Sequence, residues 1–281
     1  MTTGSRNTDK ATGRVQDLVT VITVVRNDKV LLERSIQSVL SQTYRNIEYI
    51  VIDGASTDGT VDVIKKYEDR ISCWISEPDR GIYDAMNKGI ERATGSWINF
   101  MNAGDMFSTT DTVSQVMEHA CTSTADLVYG HCQLIYDTDS SVVWKAVSPE
   151  QLWRGMAFRH QSLFTRTEIC RKFSFDTSYR IGADFAFIFR CYREGYRFCP
   201  VDRLITSVST GGISDALLFR GIWENRRTVI EYQNTLKVNA YYVTEMILAA
   251  VRVALKKILP ADMIKSIRSF KYRWRRFLFG K

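Results

Sequence analysis

The chain has 281 residues, of which 45% are hydrophobic and 25% charged, and this composition excludes a collagen-like, low-complexity or largely disordered protein. Its length predicts one large domain, or a domain with an appendage. The net charge of +7 is concentrated at one end, because residues 251–281 carry ten basic side chains against one acidic one and the first 250 residues sum to −2. A nucleic-acid-binding core is therefore not implied.

The first seventeen residues are predicted to be a disordered lead-in to the domain. They are polar and hold no apolar stretch of the kind that a signal peptide requires. The chain also lacks a run of eighteen apolar residues, because charged side chains interrupt its longest candidate, residues 240–259. A membrane-spanning helix is therefore not expected.

The cysteine pattern argues against a zinc site. The six cysteines form no CxxC pair and the three histidines form no HxxxH pattern. Scattered cysteines with apolar neighbours are typical of buried thiols, and they favour a reducing cytosol.

Strands and helices are predicted to alternate from residue 18 onward. The predicted strands cover residues 18–25, 47–52, 72–76 and 97–101, and the predicted helices cover 28–40, 60–68 and 82–93. Continuous apolar strands separated by helices of about ten residues indicate βαβ units and a parallel sheet that is covered on both faces. In such sheets the loops beyond the carboxyl ends of the strands hold the ligand.

Polar residues follow three of these strands. Asp53 suits the hydroxyls of a ribose or the imide N–H of a base, with bracing of its own loop as the alternative. Asp79 and Arg80 stand at the mouth of a helix, where a base and a phosphate could bind. Asn102 and Asp105 suit a hard cation, although such residues also form ordinary turns. Together they predict a metal-assisted pocket for a nucleoside diphosphate.

Two further residues are candidates for chemistry. Asp184 begins a predicted helix with an apolar face and is a candidate base, while the alternative is a charge that complements the helix dipole. His160 is either a satisfied core histidine or a contact for an acceptor or a diphosphate.

The C-terminal region, residues 216–281, is predicted to be helical and basic. Its last segment, residues 263–278, interleaves aromatic and aliphatic residues with lysines and arginines. Such a helix lies in an anionic membrane interface, where each basic residue contributes about 1 kcal/mol. A solvated tail and a docking helix for a partner are the alternatives.

Several motifs carry a resemblance to a known family. The stronger ones lie at residues 23–27, 38–44, 51–60, 76–89 and 102–105, and the weaker ones at 160–164, 182–185 and 211–214. In these motifs the sequence resembles the family-2 glycosyltransferases with the GT-A fold. The run Ser-Glu-Pro-Asp-Arg-Gly-Ile-Tyr-Asp-Ala-Met-Asn at 76–87 is particularly similar to the colanic-acid and exopolysaccharide branch.

The resemblance implies an α/β GT-A domain over residues 18–215, with a Rossmann-like, mostly parallel central sheet flanked by helices and a C-terminal amphipathic appendage. It implies that Thr23, Val25 and Asp53 hold the base and ribose of the donor, with Arg80 near the nucleotide.

The resemblance also implies that Asp105 is a carboxylate ligand of a divalent cation, Mg²⁺ or Mn²⁺, with Asn102 beside it. Many members have aspartates where this chain has Asn102 and Gly104, so a single carboxylate is left for the cation. The family motif favours an acceptor or diphosphate contact for His160.

The implied reaction is an inverting displacement with Asp184 as the base. A sugar would move from a nucleotide sugar, a UDP-sugar by resemblance, to a lipid-linked or growing glycan in surface polysaccharide biosynthesis. The enzyme would sit at the cytoplasmic face of the cell membrane, attached to anionic lipid, with no nucleic acid as partner.

Two rival functions compete with this one. A sugar nucleotidyltransferase needs a glycine-rich phosphate loop, which residues 24–29 do not provide. A non-catalytic module that binds nucleotide or membrane would leave the three acidic residues Asp53, Asp105 and Asp184 unexplained.

Overall fold

The computed structural model describes residues 17–137, 140–209 and 217–258. Within these ranges nine strands form one sheet, and they are β1 Val19–Val25, β2 Ile47–Asp53, β3 Cys73–Ser76, β4 Trp97–Phe100, β5 Met106–Phe107, β6 Leu127–Asp137, β7 Ser140–Trp144, β8 Leu163–Arg166 and β9 Phe198–Ser209. The α-helices there are α1 Lys29–Leu40, α2 Thr60–Lys66, α3 Ile82–Arg92, α4 Thr112–Met117, α5 Thr167–Phe173, α6 Ala183–Arg193, α7 Leu218–Tyr232 and α8 Leu236–Ile258. The predicted α/β fold with a central sheet flanked by helices is confirmed.

The sheet has the strand order β3-β2-β1-β4-β8-β6-β9-β5, and β7 pairs with β6. The first four strands are parallel, as the alternating pattern predicted. The second half is mixed, because β8 runs antiparallel to β4 and β6 while β6 and β9 are parallel. The alternation of strand and helix stops after β4, so the rule that enforces parallel pairing no longer applies.

Core residues cover both faces of the parallel half. Ile22 and Val24 of β1 belong to the core beneath α3, whereas Val21 and Val25 belong to the core beneath α1. The face of α3 that packs on the sheet is buried, and it includes Ala85, Met86, Gly89 and Ile90. Alternate residues of one strand thus fill two cores, which is why these strands read as continuous apolar runs.

The C-terminal helices share the core of the body. Val229 of α7 and Val238 and Tyr242 of α8 belong to the same cluster as α3 and α6. The Tyr241 hydroxyl also donates to the Arg154 carbonyl at 2.9 Å. The predicted division at residue 215 stays a prediction, and the lead-in over residues 1–16 and the basic segment 263–278 lie outside the described residues.

Helix α8 revises the expectation about membrane spans. Its segment Leu236–Leu255 has 20 residues with a mean hydropathy of 1.3, and is long and apolar enough to cross a membrane by length and composition. The sequence argument against a span is thus overturned on that criterion, because the charged residues are too widely spaced. In this structure one face of the helix packs on the protein.

The expectation of free thiols is wrong for one pair of cysteines. Cys121 and Cys199 form a disulfide with a Cα–Cα distance of 6.1 Å, and His119 Nδ1 lies 3.1 Å from the Cys121 sulfur. The two cysteines are 78 residues apart, so no local spacing in the sequence predicts the pair. Cys132, Cys170 and Cys191 are buried free thiols, as predicted, and Cys73 is half-buried.

Gly89 is the point of closest approach between α3 and the sheet. A Cβ atom there would lie 2.6 Å from Cγ2 of Ile22, which is fully buried. Alanine normally stabilises a helix by about 1 kcal/mol relative to glycine. Overpacking a rigid core costs about 1–3 kcal/mol, so we expect Gly89→Ala to lower the free energy of unfolding, measured by denaturant titration.

The matched control is Gly221→Ala in α7. Its added Cβ would meet only the Cδ1 end of the Ile181 side chain, at 3.0 Å. This variant should keep or gain stability. If Gly89→Ala were as stable as Gly221→Ala, the close packing of α3 on β1 would be contradicted.

Candidate functional site

The carboxyl ends of the four parallel strands bring the predicted donor residues to one edge of the sheet. Val25 lies opposite Asp53, and Asp53 lies opposite Ser76. The N–H of Met101, directly after β4, donates to the Ile22 carbonyl at 2.9 Å. The loops that follow these strands are therefore neighbours, as the rule for parallel sheets requires.

Thr23 lies within the sheet, and Val25 is the last residue of β1. The Thr23 hydroxyl donates to the Met101 carbonyl at 2.6 Å and accepts from the Tyr49 hydroxyl at 3.0 Å. Val25 is 6% exposed, and its carbonyl accepts from the N–H of Gly54 at 2.9 Å. Protein partners occupy the Thr23 side chain, and nucleotide contacts by these two residues stay predictions.

Asp53 is fully buried and braces its own loop. Its carboxylate accepts from the Ser56 N–H at 3.0 Å and from the Ser76 hydroxyl at 2.6 Å. The Asp79 carboxylate lies beside this exit, because a side chain at Gly54 would collide with it. The loop-bracing alternative thus describes the contacts seen, and a base or ribose contact by Asp53 stays a prediction.

Arg80 lies just before α3, and most of its side chain is exposed to solvent. Its side chain is 81% exposed and pairs with Asp84 at 2.9 Å. Asp79 accepts from the Gly81 N–H at 2.8 Å, which fixes the turn that precedes α3. These two residues lie at the mouth of α3, as predicted, and a base or phosphate contact by them stays a prediction.

Asp105 is held in the core by α1 and by the turn before β8. The Ser35 hydroxyl of α1 donates to the Asp105 carbonyl at 2.8 Å, and Gln161 donates to the Asp105 carboxylate at 3.1 Å. The side chain is buried, and this burial raises the pKa of Asp105 to about 6, although the charge of the nearby His160 and the hydrogen bond from Gln161 act to lower it.

Amide oxygens around Asp105 lack partners. Among the described residues nothing donates to the buried side-chain oxygens of Asn99, Asn102 or Gln161. Buried acceptors without partners are rare, and each calls for an explanation. Carboxylate and amide oxygens are the ligands that Mg²⁺ and Mn²⁺ prefer. The predicted metal residues Asp105 and Asn102, with Gln161, therefore fit a hard divalent cation.

His160 and Asp184 form the shortest histidine–carboxylate contact of this region. His160 Nδ1 lies 2.7 Å from Asp184 Oδ2, and His160 Nε2 lies 3.4 Å from the side-chain nitrogen of Asn102. The Tyr83 hydroxyl donates to Asp184 Oδ1 at 3.0 Å. One chain of contacts thus joins the loop after β4, the turn before β8, α6 and the first turn of α3.

The surroundings of Asp184 favour the charged form of its carboxylate. Burial, the largest influence, raises the pKa of Asp184, but the hydrogen bond and charge of His160 and the N–H of Phe185 together hold it below its usual value. Burial and the Asp184 charge raise the pKa of Tyr83 well above its ordinary value, so Tyr83 remains a donor. The Asp184 carboxylate is therefore ionised at neutral pH, the state in which a carboxylate can accept a proton.

Sequence reasoning selected His160 and Asp184 separately but missed their contact. It missed Tyr83, Gln161 and Glu224 altogether. Glu224 of α7 is 1% exposed and accepts from the N–H groups of Arg180, Ile181 and Gly182, which anchors the turn that leads to Asp184. Tyr83 lies 101 positions from Asp184, and no local pattern reports such a contact.

The chain is similar in sequence and in structure to known glycosyltransferases. The sequence profile of Glycosyl transferase family 2 matches residues 20–194. An uncharacterized glycosyltransferase of Mycobacterium tuberculosis is 46% identical over 101 residues, which are 36% of this chain and 38% of that protein. The chain thus matches well under half of the length of that relative.

Two further curated relatives are matched over more of the chain. A PGL/p-HBAD biosynthesis glycosyltransferase of Mycobacterium tuberculosis is 25% identical over 91% of this chain and 98% of its own length. The Escherichia coli UDP-Glc:alpha-D-GlcNAc-diphosphoundecaprenol beta-1,3-glucosyltransferase WfaP is 30% identical over 54% of this chain and 60% of its own length.

Solved structures share the fold. Staphylococcus aureus TarS 1-349 in complex with UDP-GlcNAc has a TM-score of 0.61 at 13% identity, and the match covers 82% of this chain and 70% of that chain. The mannosyltransferase PcManGT from Pyrobaculum calidifontis, in complex with GDP-Man and Mn²⁺, has a TM-score of 0.63 at 18% identity and covers 92% and 81%.

The raised pKa of Asp105 predicts a stability effect with a definite sign. Protonation is favoured in the folded state, so the stabilising contribution is present at low pH and is lost as the pH rises through about 6. In metal-free buffer we expect Asp105→Asn to raise the free energy of unfolding by about 1–3 kcal/mol near pH 8 and by little near pH 4.

The control is Asp111→Asn. Asp111 is exposed, and the hydrogen bond from Thr109, the largest influence, lowers its pKa, so this substitution should give no gain at about pH 8. Denaturant titrations across the pH range measure both variants. A wild type as stable as Asp105→Asn near pH 8 would contradict the buried, costly carboxylate.

Proposed function

This chain belongs to glycosyl transferase family 2, and we propose that it transfers a sugar from a nucleoside-diphosphate sugar, with inversion, to a hydroxyl of a lipid-linked or growing glycan. The observation that carries the proposal is the pair of His160 with Asp184 at 2.7 Å, beside the oxygen cluster of Asp105. It supports the proposal because a carboxylate that can act as a base lies near residues that fit a divalent cation.

The donor proposal is a UDP-sugar bound along the strand-exit edge. The E. coli relative is named as a UDP-Glc enzyme, and one structural neighbour is a complex with UDP-GlcNAc. Another neighbour holds GDP-Man, so the fold itself accepts either nucleotide. The base and ribose would lie near Thr23, Val25 and Asp53, and the Asp79–Arg80 turn would close this edge.

The proposed reaction is a single displacement. The Asp184 carboxylate accepts the proton of the acceptor hydroxyl while the hydroxyl oxygen bonds to the anomeric carbon. The bond from that carbon to the diphosphate oxygen breaks on the opposite face, which inverts the configuration. A cation bound by Asp105, Asn102 and Gln161 would supply charge neutralisation for the departing diphosphate.

His160 and Tyr83 are proposed as positioning residues for Asp184. Their contacts occupy one position on each oxygen of the carboxylate, at 2.7 and 3.0 Å, and thereby fix its plane. His160 also contacts Asn102, so it links the orientation of the base to the proposed cation side. This role differs from the direct acceptor or diphosphate contact that the family motif favours.

The acceptor is proposed to be carried by a membrane lipid. WfaP is named for a diphosphoundecaprenol acceptor, and the 76–87 run resembles the colanic-acid and exopolysaccharide branch. Helix α8 turns Tyr242 and Ala249 toward the protein and leaves Val243, Ile247 and Val251 about half exposed. Together with the basic residues beyond it, this face supports a peripheral position on the cytoplasmic surface of the membrane.

The base assignment predicts the behaviour of Asp184→Asn. General-base assistance contributes about 10²–10⁴-fold, so transfer should fall by that factor while UDP affinity is retained. Sugar transfer from radiolabelled UDP-sugars and UDP binding by calorimetry measure the two quantities.

The chain contains a matched control for this test. His131 and Asp202 form another histidine–aspartate pair, at 2.9 Å, with an Asp202 side chain that is 98% exposed. Asp202→Asn should leave transfer unchanged. The assignment of Asp184 would be wrong if Asp184→Asn kept more than about a tenth of the wild-type rate.

The membrane proposal predicts that polar substitutions on the outer face of α8 weaken lipid binding. Burying each aliphatic side chain contributes about 1.5–3 kcal/mol, so Ile247→Asn with Val251→Asn should reduce binding to phosphatidylglycerol vesicles at least about tenfold. Vesicle co-sedimentation of the full chain measures it.

Thr244→Asn, an exposed polar substitution on the same helix, is the control and should bind like wild type. Unchanged binding by the double variant would remove α8 from the interface. Wild-type protein that resists extraction with alkaline carbonate would instead show that the segment spans the bilayer.

A further inference from the structure

A cationic cavity opens at the N-terminus of α3, and Tyr83 but not Asp184 is among its lining residues. It has a volume of about 220 Å³, and three arginines from three segments line it: Arg80, Arg180 and Arg220. Tyr83 also lines it and donates its hydroxyl to Asp184 at 3.0 Å. The cavity therefore borders the proposed base without including the Asp105 cluster.

The positive charge of this cavity is only partly balanced. Arg80 pairs with Asp84 at 2.9 Å and Arg220 pairs with Glu224 at 2.8 Å. The Arg180 guanidinium has no carboxylate partner among the described residues, and it lies 3.7 Å from the position that a Gly81 Cβ would take. An exposed guanidinium thus stands over the N-terminus of a helix, where anions and not cations are favoured.

Backbone donors add to this imbalance. Gly81 caps α3 without a side chain, and within the described chain no residue accepts from the N–H groups of Ile82 and Tyr83. Arginine side chains and free N–H groups at a helix N-terminus are the donors that bind phosphate oxygens. The cavity is also large enough for a group that displaces roughly seven waters.

Glu224 makes this arrangement rigid. It is buried, and it accepts from the N–H groups of residues 180–182 as well as from the Arg220 side chain. The Arg220 guanidinium and the backbone of Arg180 are therefore held by one carboxylate. A site whose backbone and one guanidinium are already positioned binds a diphosphate with a smaller loss of conformational entropy.

We propose that this cavity binds the diphosphate of the lipid-linked acceptor. The inference rests on the proposed function and names a subsite for its acceptor. On α7, the exposed side chains of Phe219 and Trp223 flank Arg220, so an apolar chain attached to the diphosphate would meet apolar surface. The donor diphosphate has a different place in this account, beside Asp105.

Geranyl diphosphate, a soluble prenyl diphosphate without a sugar, is the probe. Its binding is followed by the fluorescence of Trp223 and the other tryptophans, with the donor site first saturated with UDP and Mn²⁺. We expect saturable binding to wild type, and about tenfold or greater weakening in Arg180→Glu. UDP affinity should be the same in both proteins.

Arg203→Glu is the control, since Arg203 is exposed on β9 and outside the cavity, and it should bind the probe like wild type. Arg180→Gln, which leaves the Glu224 contacts in place, guards against a folding defect in the charge reversal. Inorganic pyrophosphate and geraniol show whether the diphosphate, the prenyl chain or both are recognised.

Three results would overturn the proposal. The first is that geranyl diphosphate fails to bind wild type saturated with UDP. The second is that UDP displaces the probe and Arg180→Glu weakens both equally, which would assign the cavity to the donor. The third is that wild type binds no UDP at all, which would refute the proposed function and this inference with it.

Discussion

The contact between His160 and Asp184 is the interaction on which the geometry of the site depends. Both side chains are less than a fifth exposed, and their atoms lie 2.7 Å apart. Loss of His160 would leave the buried Asp184 carboxylate charged and without its closest partner, and breaking a buried pair in this way costs about 3–5 kcal/mol. The pair therefore fixes α6 against the turn before β8, and through Asn102 and Tyr83 it fixes both relative to the strand ends.

Around this pair the protein keeps groups that reduce its stability. Asp105 is a buried carboxylate whose pKa is raised to about 6, and the neighbouring amide oxygens of Asn102 and Gln161 have no donors among the described residues. A core built only for stability would have satisfied or removed them. A buried carboxylate and buried oxygens without donors are expected where a bound ligand completes the structure. This is the physical argument for a cation site beside Asp105.

The parallel half of the fold could be predicted because its signals are local. Buried strands such as β1 read as unbroken apolar runs, and the Asp28 carboxylate caps α1 by accepting from the Leu31 N–H at 3.1 Å. Asp53, Asp79 and Asp105 could then be selected because they lie at or just after the carboxyl ends of these strands. The mixed half could not be predicted, because the pairing of β8 with β4 and β6 is decided by contacts between distant segments.

The same contrast between local signals and distant contacts explains why only part of the site could be predicted from the sequence. His160 and Asp184 each stand in a recognisable motif, but their pairing, the Tyr83 hydroxyl and the Cys121–Cys199 disulfide exist only after the chain has folded. Thr23 shows the converse. Its place in a family motif implies a ligand contact, yet its hydroxyl donates to the Met101 carbonyl.

The most direct measurement is a crystal structure of the Asp184→Asn variant with a UDP-sugar and Mn²⁺, with anomalous diffraction to locate the metal. The account predicts a manganese peak bound by Asp105 and the donor diphosphate. It also predicts that residue 184 faces the anomeric carbon, with space for one acceptor hydroxyl within about 3.2 Å of it. A nucleotide bound away from the strand-exit edge, or an anomeric carbon that faces away from residue 184, would contradict it.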